Sequence, residues 1–336
     1  MSNKHQCIIF TERGGPETLK LTTQDIPEPQ SSQIRIKITA AGVSGADVLM
    51  REGVYPVEPP EFPFIGGYDI VGIVDKNGEN AHKFTAGQRI AALTKIGGYA
   101  QYICLDENDV VLVPEGIDDV KAVSVVLNYI TIYQILHRIA EVKSGETILI
   151  HGAGGGIGTA VLQLGKIAGL KMYGTDVKSH FSILEKLGCI PIDYREENVN
   201  QRIKELTGDG VDVILDPIGG ANCFRTYPAL KDPGRLVTFG AAFALKENPP
   251  NIQEVFFWWR ASLALNLLSP SKKILTYAIS TFKKENHQLY IEDLTTILNL
   301  LAAKKIDSII AMTLPLSEAQ KAHELLDKGG VTGKIV

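Results

Sequence analysis

Residues 147–164 read TILIHGAGGGIGTAVLQL. A short apolar run, Thr147 to His151, passes directly into glycines and then into a stretch of helical spacing, Thr159 to Ala168. Strand, glycine turn and helix in that order separate a dinucleotide site from a chance cluster of glycines. Several registers fit. Ala153, Gly155 and Gly158 occupy the three small-residue places of A-x-G-x-x-G, with Gly156 and Ile157 between the last two. The first small residue permits the tight turn, the second lets backbone approach a pyrophosphate, and the third lets the helix pack on the strand. The helix N-terminus then offers unpaired N–H groups and a positive dipole end to the phosphates.

Downstream, strands and helices alternate. Strands are expected at Lys171 to Thr175, Pro191 to Tyr194, Val211 to Leu215 and Arg235 to Phe239. Helices are expected at Asp119 to Arg138, at Ser179 to Leu187 with Ser179 as N-cap, and at Asn198 to Leu206. This rhythm implies parallel βαβ units covered on both faces, an α/β doubly wound sheet. The ribose-reading position lies about 20 residues past the turn. Asp176, just after Thr175, suits a ribose 2′-hydroxyl and hence NADH, whereas Lys178 and Ser179 suit a 2′-phosphate and hence NADPH. Both signals stand side by side.

Upstream, the first 120 residues are β-rich. Ile34 to Thr39, Asp69 to Val74, Arg89 to Leu93 and Tyr99 to Leu105 are short strand-like runs punctuated by Gly and Pro. Toward the C-terminus, Glu292 to Lys304 and Ser317 to Lys328 have helical spacing, with Ser317 as a cap, and Ser308 to Leu314 suits a strand. A 336-residue chain of ordinary apolar content fits two domains. Its formal net charge of -4 advertises neither a nucleic acid nor a membrane surface as partner. Cys7, Cys104, Cys189 and Cys223 are scattered and form no CxxC, which argues against a disulfide framework or structural zinc and for a reducing, cytoplasmic setting. The apolar run Val255 to Leu268 is interrupted by Arg260 and is shorter than the roughly 20 residues a spanning helix needs. It reads as a core or interface segment, and membrane contact is not expected.

No phosphate loop, nucleophile elbow or HExxH helix is present, so hydride chemistry carried by the cofactor is what remains.

Further stretches resemble the zinc-independent quinone oxidoreductase branch of the medium-chain dehydrogenase/reductases. Residues 41–47 (AGVSGAD) with Arg51-Glu52-Gly53-Val54-Tyr55-Pro56 resemble the stretch ending R-x-G-x-Y-P. Residues 62–72 (FPFIGGYDIVG) resemble P-x-x-x-G-x-E-x-x-G, and residues 86–90 (AGQRI) resemble A-G-D-R-V. Residues 127–131 (LNYIT), residues 215–220 (LDPIGG) and the pair Trp258-Trp259 resemble the vesicle amine transport protein group within that branch.

The resemblance implies a Rossmann domain, 121–265, inserted into a discontinuous β-rich GroES-like catalytic domain, 1–120 and 266–336. It implies an NADPH-dependent enzyme that passes hydride to quinones or α,β-unsaturated carbonyls, usually as a homodimer. A catalytically weak NADPH-binding regulatory or membrane-associated protein is the alternative. Zinc-dependent relatives carry a cysteine ligand where this chain has Ser44 and a histidine where it has Tyr68, so no metal site is implied. Tyr55 matches a tyrosine of the substrate cleft, and Ser44 stands where the branch usually has asparagine; these two are the implied catalytic residues. Leu49 replaces a second tyrosine found in some members. For the cofactor, Thr131 matches a hydroxyl near the nicotinamide, and Tyr194 matches a tyrosine on the 2′-phosphate, which favours NADPH over NADH. Phe239 and Gly240 match backbone near the nicotinamide, Lys334 matches a C-terminal G-K, and Thr175 and Lys178 flank the ribose position.

Overall fold

The computed structural model describes residues 3–246 and 250–336, without the side chain of Lys246. The chain separates into two compact units. One comprises Met1–Gly53, Pro59–Ile130 and Lys283–Val336; the other comprises Val54–Glu58 and Thr131–Phe282.

The first unit opens with β1 (Lys4–Phe10), β2 (Leu19–Asp25) and β3 (Gln33–Gly42), then α1 (Gly45–Arg51). There follow β4 (Phe64–Ile65), β5 (Asp69–Asn77), β6 (Arg89–Leu93), β7 (Tyr102–Asp106) and β8 (Val110–Leu112). Five of these strands form an antiparallel sheet in the order β7-β3-β5-β6-β8, and three form a second sheet, β2-β1-β4. Inward residues Ile34, Ile36, Ile70, Val74 and Ile90 pack with Phe84 into one apolar cluster. Helix α2 (Asp119–Gln134) leads out of this unit into the second.

The second unit is built on six parallel strands. They are β9 (Thr147–His151), β10 (Lys171–Asp176), β11 (Cys189–Asp193), β12 (Val211–Asp216), β13 (Leu230–Thr238) and β14 (Lys272–Thr276). Their order is β11-β10-β9-β12-β13-β14, the doubly wound arrangement in which strand order reverses beside the first strand. All five residues of β9 are buried, as a strand covered on both faces must be. Connecting helices are α3 (Gly156–Ile167), α4 (Phe181–Lys186), α5 (Val199–Thr207), α6 (Ala221–Thr226) and α7 (Ile252–Leu268). Helix α8 (Ile279–Glu285) leads back to α9 (His287–Ala302), β15 (Ile310–Met312), α10 (Ala319–Lys328) and β16 (Lys334–Ile335), the last pairing with β15.

Two local expectations are corrected, and one strand was missed. Ser179 lies inside a single 3-10 turn, Lys178–His180, and α4 starts two residues later with no side-chain cap. Ser317 likewise sits in a 3-10 turn, Leu316–Glu318, ahead of α10. In both places the residue that favours a cap nucleates the tighter turn that often precedes a helix. Strand β14 was not anticipated. Its sequence KKILT carries an apolar pair after two lysines and before a threonine, which suits a sheet edge and gives no clear period. It follows the apolar run, which is the helix α7, so the sheet gains its sixth strand beyond residue 265.

Candidate functional site

The turn after β9 is shaped by glycines at two positions for different reasons. Gly152 has φ +69, a conformation L side chains rarely adopt, although the space beside it is open. Gly158 is constrained by space instead: a Cβ there would lie 2.4 Å from the carbonyl oxygens of both Gly152 and Ala153. The turn is tied to β10 by the amides of Gly152 and Ala153, which donate to the Thr175 carbonyl at 3.0 and 3.1 Å. Helix α3 then begins at Gly156 with Gly155 as N-cap, and no side chain caps it. The first-turn amides of Gly156, Ile157 and Gly158 are therefore directed outward from the helix end without a capping side chain. An uncapped helix end, a glycine turn that a Cβ would fill, and a position at the reversal of strand order together fit a dinucleotide pyrophosphate.

The C-terminal ends of three neighbouring strands carry a polar row. Thr175 pairs with His151 in the β10–β9 register, and its Oγ1 lies 3.0 Å from His151 Nδ1. Asp216 ends β12 on the other side of β9. Its Oδ1 accepts from the amides of Ile218 and Gly219 at 3.0 and 3.1 Å and from Asn222 Nδ2 at 3.0 Å. His151 Nε2 and Asp216 Oδ2 are buried without a hydrogen-bond partner. Burial pushes the His151 pKa down, and the Asp216 charge opposes it. Past β13, Phe239 donates its amide to the Asp216 carbonyl, and Gly240 packs so closely on Pro217 that no Cβ fits between them. His151 and Asp216 were missed in the sequence, since only strand register places them beside the turn.

At the ribose-reading position Asp176 is buried, and its carboxylate accepts from the Gly154 amide at 2.6 Å. Lys178 is exposed and paired with Glu196. Tyr194 is exposed, with the Arg195 guanidinium over its ring. Thr131 is buried in α2.

In the first unit, Ser44 caps α1 in a reciprocal box with Asp47. Its hydroxyl lies 2.5 Å from Asp47 Oδ2, which also accepts the Ser44 amide at 2.9 Å. Burial pushes the Asp47 pKa up to about 7; the Ser44 hydroxyl opposes this and the Asp69 charge adds to it. With Asp47 ionised, Ser44 gives its hydrogen to the carboxylate and presents only lone pairs elsewhere. With Asp47 protonated, that bond can reverse and Ser44 has a hydrogen to give.

Lys334, far along the chain, places its ammonium 3.2 and 3.3 Å from the two oxygens of Asp69, with both groups buried. A second buried group joins α1 to α10. Arg51 Nη1 lies 3.2 Å from His323 Nδ1, and Tyr99 Oη lies 3.3 Å from His323 Nε2. Arginine only donates, so His323 Nδ1 accepts and Nε2 carries the hydrogen. Burial, with Arg51 adding, pushes the His323 pKa down to about 3. Tyr55 is buried and belongs to the segment that groups with the second unit. Tyr68 is buried too. Among the described residues no three His, Cys, Asp or Glu side chains are gathered to hold a metal ion, and no helix is long and apolar enough to cross a membrane.

Two family descriptions match: an alcohol dehydrogenase GroES-like domain over residues 30–115 and a zinc-binding dehydrogenase domain over residues 189–336. The second description names a metal; Ser44 and Tyr68, which the resemblance sets where zinc-dependent members have their ligands, carry hydroxyl groups. The quinone oxidoreductase of Homo sapiens is 30% identical over 98% of this chain and 97% of its own length. The synaptic vesicle membrane protein VAT-1 homolog of Rattus norvegicus is 28% identical over 98% of this chain and 83% of its own. The crystal structure of Escherichia coli quinone oxidoreductase complexed with NADPH superposes with a TM-score of 0.87 at 27% identity, covering 98% of this chain and 99% of that one. The chain belongs to the zinc-independent quinone oxidoreductase and VAT-1 group of the medium-chain dehydrogenase/reductases.

Proposed function

We propose that this protein is an NADPH-dependent, zinc-independent oxidoreductase that passes hydride to quinones or α,β-unsaturated carbonyls. The observation that carries the proposal is the uncapped N-terminus of α3, set behind a glycine turn at the reversal of strand order. Its support from relatives is the name quinone oxidoreductase on a protein 30% identical along nearly the whole chain, and an NADPH complex of a structural neighbour.

Ala153, Gly155, Gly156, Ile157 and Gly158 would hold the pyrophosphate. Thr175, Lys178 and Tyr194 would border the adenosine ribose, and Thr131, Phe239 and Gly240 the nicotinamide end. Lys334 would act at a distance, by holding Asp69. When bound, the dihydronicotinamide supplies the hydride. A conjugated acceptor spreads the charge that develops on its oxygen, so a hydrogen bond suffices where other members use a metal ion. Tyr55 would give that bond from its phenol, and Ser44 from its hydroxyl whenever Asp47 holds a proton.

Oxidation of NADPH, followed by its absorbance against a panel of quinones and enones, tests this reading. Turnover is expected, with Tyr55→Phe slowing kcat by about a hundred- to a thousandfold, the loss of one donor to the developing oxyanion. Tight NADPH binding with no turnover on any acceptor refutes the enzymatic part. It favours instead a weakly catalytic NADPH-binding regulator, a reading supported by the Ser44 hydroxyl being engaged by Asp47. We also propose a cytoplasmic homodimer. Helix α7 exposes Phe257, Trp259, Leu263, Leu267 and Leu268, an apolar face of the kind a partner subunit covers. The cofactor domain would enter near residue 120.

A further inference from the structure

Asp176 ends β10, in the place where an acid ordinarily accepts the ribose 2′-hydroxyl of a non-phosphorylated dinucleotide. Here the carboxylate faces the protein. Oδ2 accepts from the Gly154 amide at 2.6 Å, and Oδ1 accepts from the Val177 amide at 2.8 Å. His180 Nδ1 lies 2.7 Å from Oδ1. A carboxylate only accepts, so Nδ1 must carry the hydrogen, which fixes the tautomer of a neutral ring. Asp176 and His180 are both largely shielded from solvent, with side-chain exposures of 10% and 14%.

Gly154 makes this arrangement possible. A Cβ there would lie 2.8 Å from Asp176 Oδ2 and 2.8 Å from His180 Nδ1. Only a residue without a side chain lets the acid close over the turn with the imidazole behind it. Outside this closed pair stand two exposed cations, Lys178 and Arg195, and one partner acid, Glu196. Lys178 is mostly exposed, and its pairing with the equally exposed Glu196 is of the weak surface kind that a ligand displaces. Tyr194 stands exposed with the Arg195 guanidinium over its ring. The Asp176 carboxylate is folded inward, while Lys178 and Arg195 stand outside it with Glu196 as the Lys178 partner, so a phosphate monoester that displaces Glu196 meets cations where a ribose diol would need a free acceptor.

We propose that Gly154 and His180 select the 2′-phosphorylated dinucleotide by holding the Asp176 carboxylate against the turn. His180 is a positioning residue in this scheme: it acts on the ligand through Asp176. The inference rests on the dinucleotide reading of the turn and adds to it which residues make the choice.

The experiment is a fluorescence titration of NADPH and of NADH into the full-length protein and three variants. The wild type is expected to bind NADPH at least tenfold tighter than NADH. His180→Ala removes one of the two bonds on Oδ1, leaving the Val177 amide, and so loosens the carboxylate from the turn: NADH tightens, NADPH weakens against the more exposed charge, and the ratio falls by about tenfold or more, the worth of one charge-assisted hydrogen bond. Asp176→Asn has no such charge to release, and the ratio stays within about twofold of wild type. The double variant His180→Ala/Asp176→Asn restores the preference for NADPH, which a merely structural role of His180 does not predict. Should His180→Ala fail to fold, Asp176→Asn alone decides: a tenfold loss of NADH affinity means that the acid reads the ribose, and overturns the proposal. Equal loss of both cofactors in His180→Ala, or a wild type that prefers NADH, overturns it too. A wild type that binds neither nucleotide sinks the proposed function along with it. NADPH binding and turnover with an unmoved ratio sink only this inference.

Discussion

Alanine at Gly158 and alanine at Gly155 should have different consequences, and the difference separates folding from binding. At Gly158 the new Cβ would sit 2.4 Å from two carbonyl oxygens, where an ordinary contact begins at 3.4 Å. The start of α3 must therefore move by about 1 Å, and overpacking of this kind costs about 1–3 kcal/mol of stability. At Gly155 the nearest atom to a new Cβ is the Gly152 oxygen at 3.5 Å, an ordinary contact, and φ is -70. Stability should then change by no more than about 0.5 kcal/mol. In the proposed cofactor site Gly155 is nevertheless the residue at which backbone would approach the pyrophosphate, so a methyl group there would stand in the place of the ligand. NADPH affinity should fall about tenfold or more in both variants, roughly the loss of one hydrogen bond to a charged group. Urea denaturation reads the first quantity and fluorescence titration the second. If Gly155→Ala binds NADPH as wild type does, the phosphates do not sit on this turn and the cofactor assignment fails.

Lys334→Met leaves Asp69 buried without its counter-ion and should cost about 3–5 kcal/mol in urea denaturation. Adding Asp69→Asn should recover part of that loss; no recovery means that the two groups are not coupled. Stability should also depend on pH with two opposing slopes. Asp47, raised to about 7, binds more protons folded than unfolded between about pH 4 and 7, so it makes stability fall as pH rises through that window. His323, lowered to about 3, binds more protons unfolded between about pH 3 and 6.5, so it makes stability rise with pH there. His323→Gln should remove the rising slope and leave the falling one, read from melting temperature against pH; an unchanged profile refutes the assignment. Leu267→Glu should give a monomer by light scattering if α7 is the dimer face, and a wild type already monomeric at micromolar concentration rejects that interface.

The second unit was legible because β9, its glycine turn and α3 follow one another without interruption, and local order is what a sequence displays. The edge strand β14 was not, since its two apolar residues, preceded by two lysines, carry no period and its place is set by the neighbour β13. The candidate site divides along the same line. The small residues of the turn announced themselves, but the two competing signals at Asp176 and Lys178 could be weighed only once Asp176 was seen to face Gly154 and His180. The polar row of Thr175, His151 and Asp216 depends on the register of three strands that are far apart along the chain. Lys334 and Asp69 are separated by 265 residues, and no spacing rule links them.

The first unit draws strands and helices from both sides of the second: β16 pairs with β15, and Ile335 bridges back to Val43 beside β3. During synthesis at about 5–20 residues per second, residues up to 130 leave the ribosome many seconds before residues 283–336. In that interval Asp69 waits without Lys334, and Arg51 without His323 or Asp327. The contiguous span Thr131–Phe282 meets no such delay and is free to fold as it emerges. The order of completion on the ribosome therefore reverses the order of translation: the half begun first is the last to be finished, and until then it is the part that chaperones must shield.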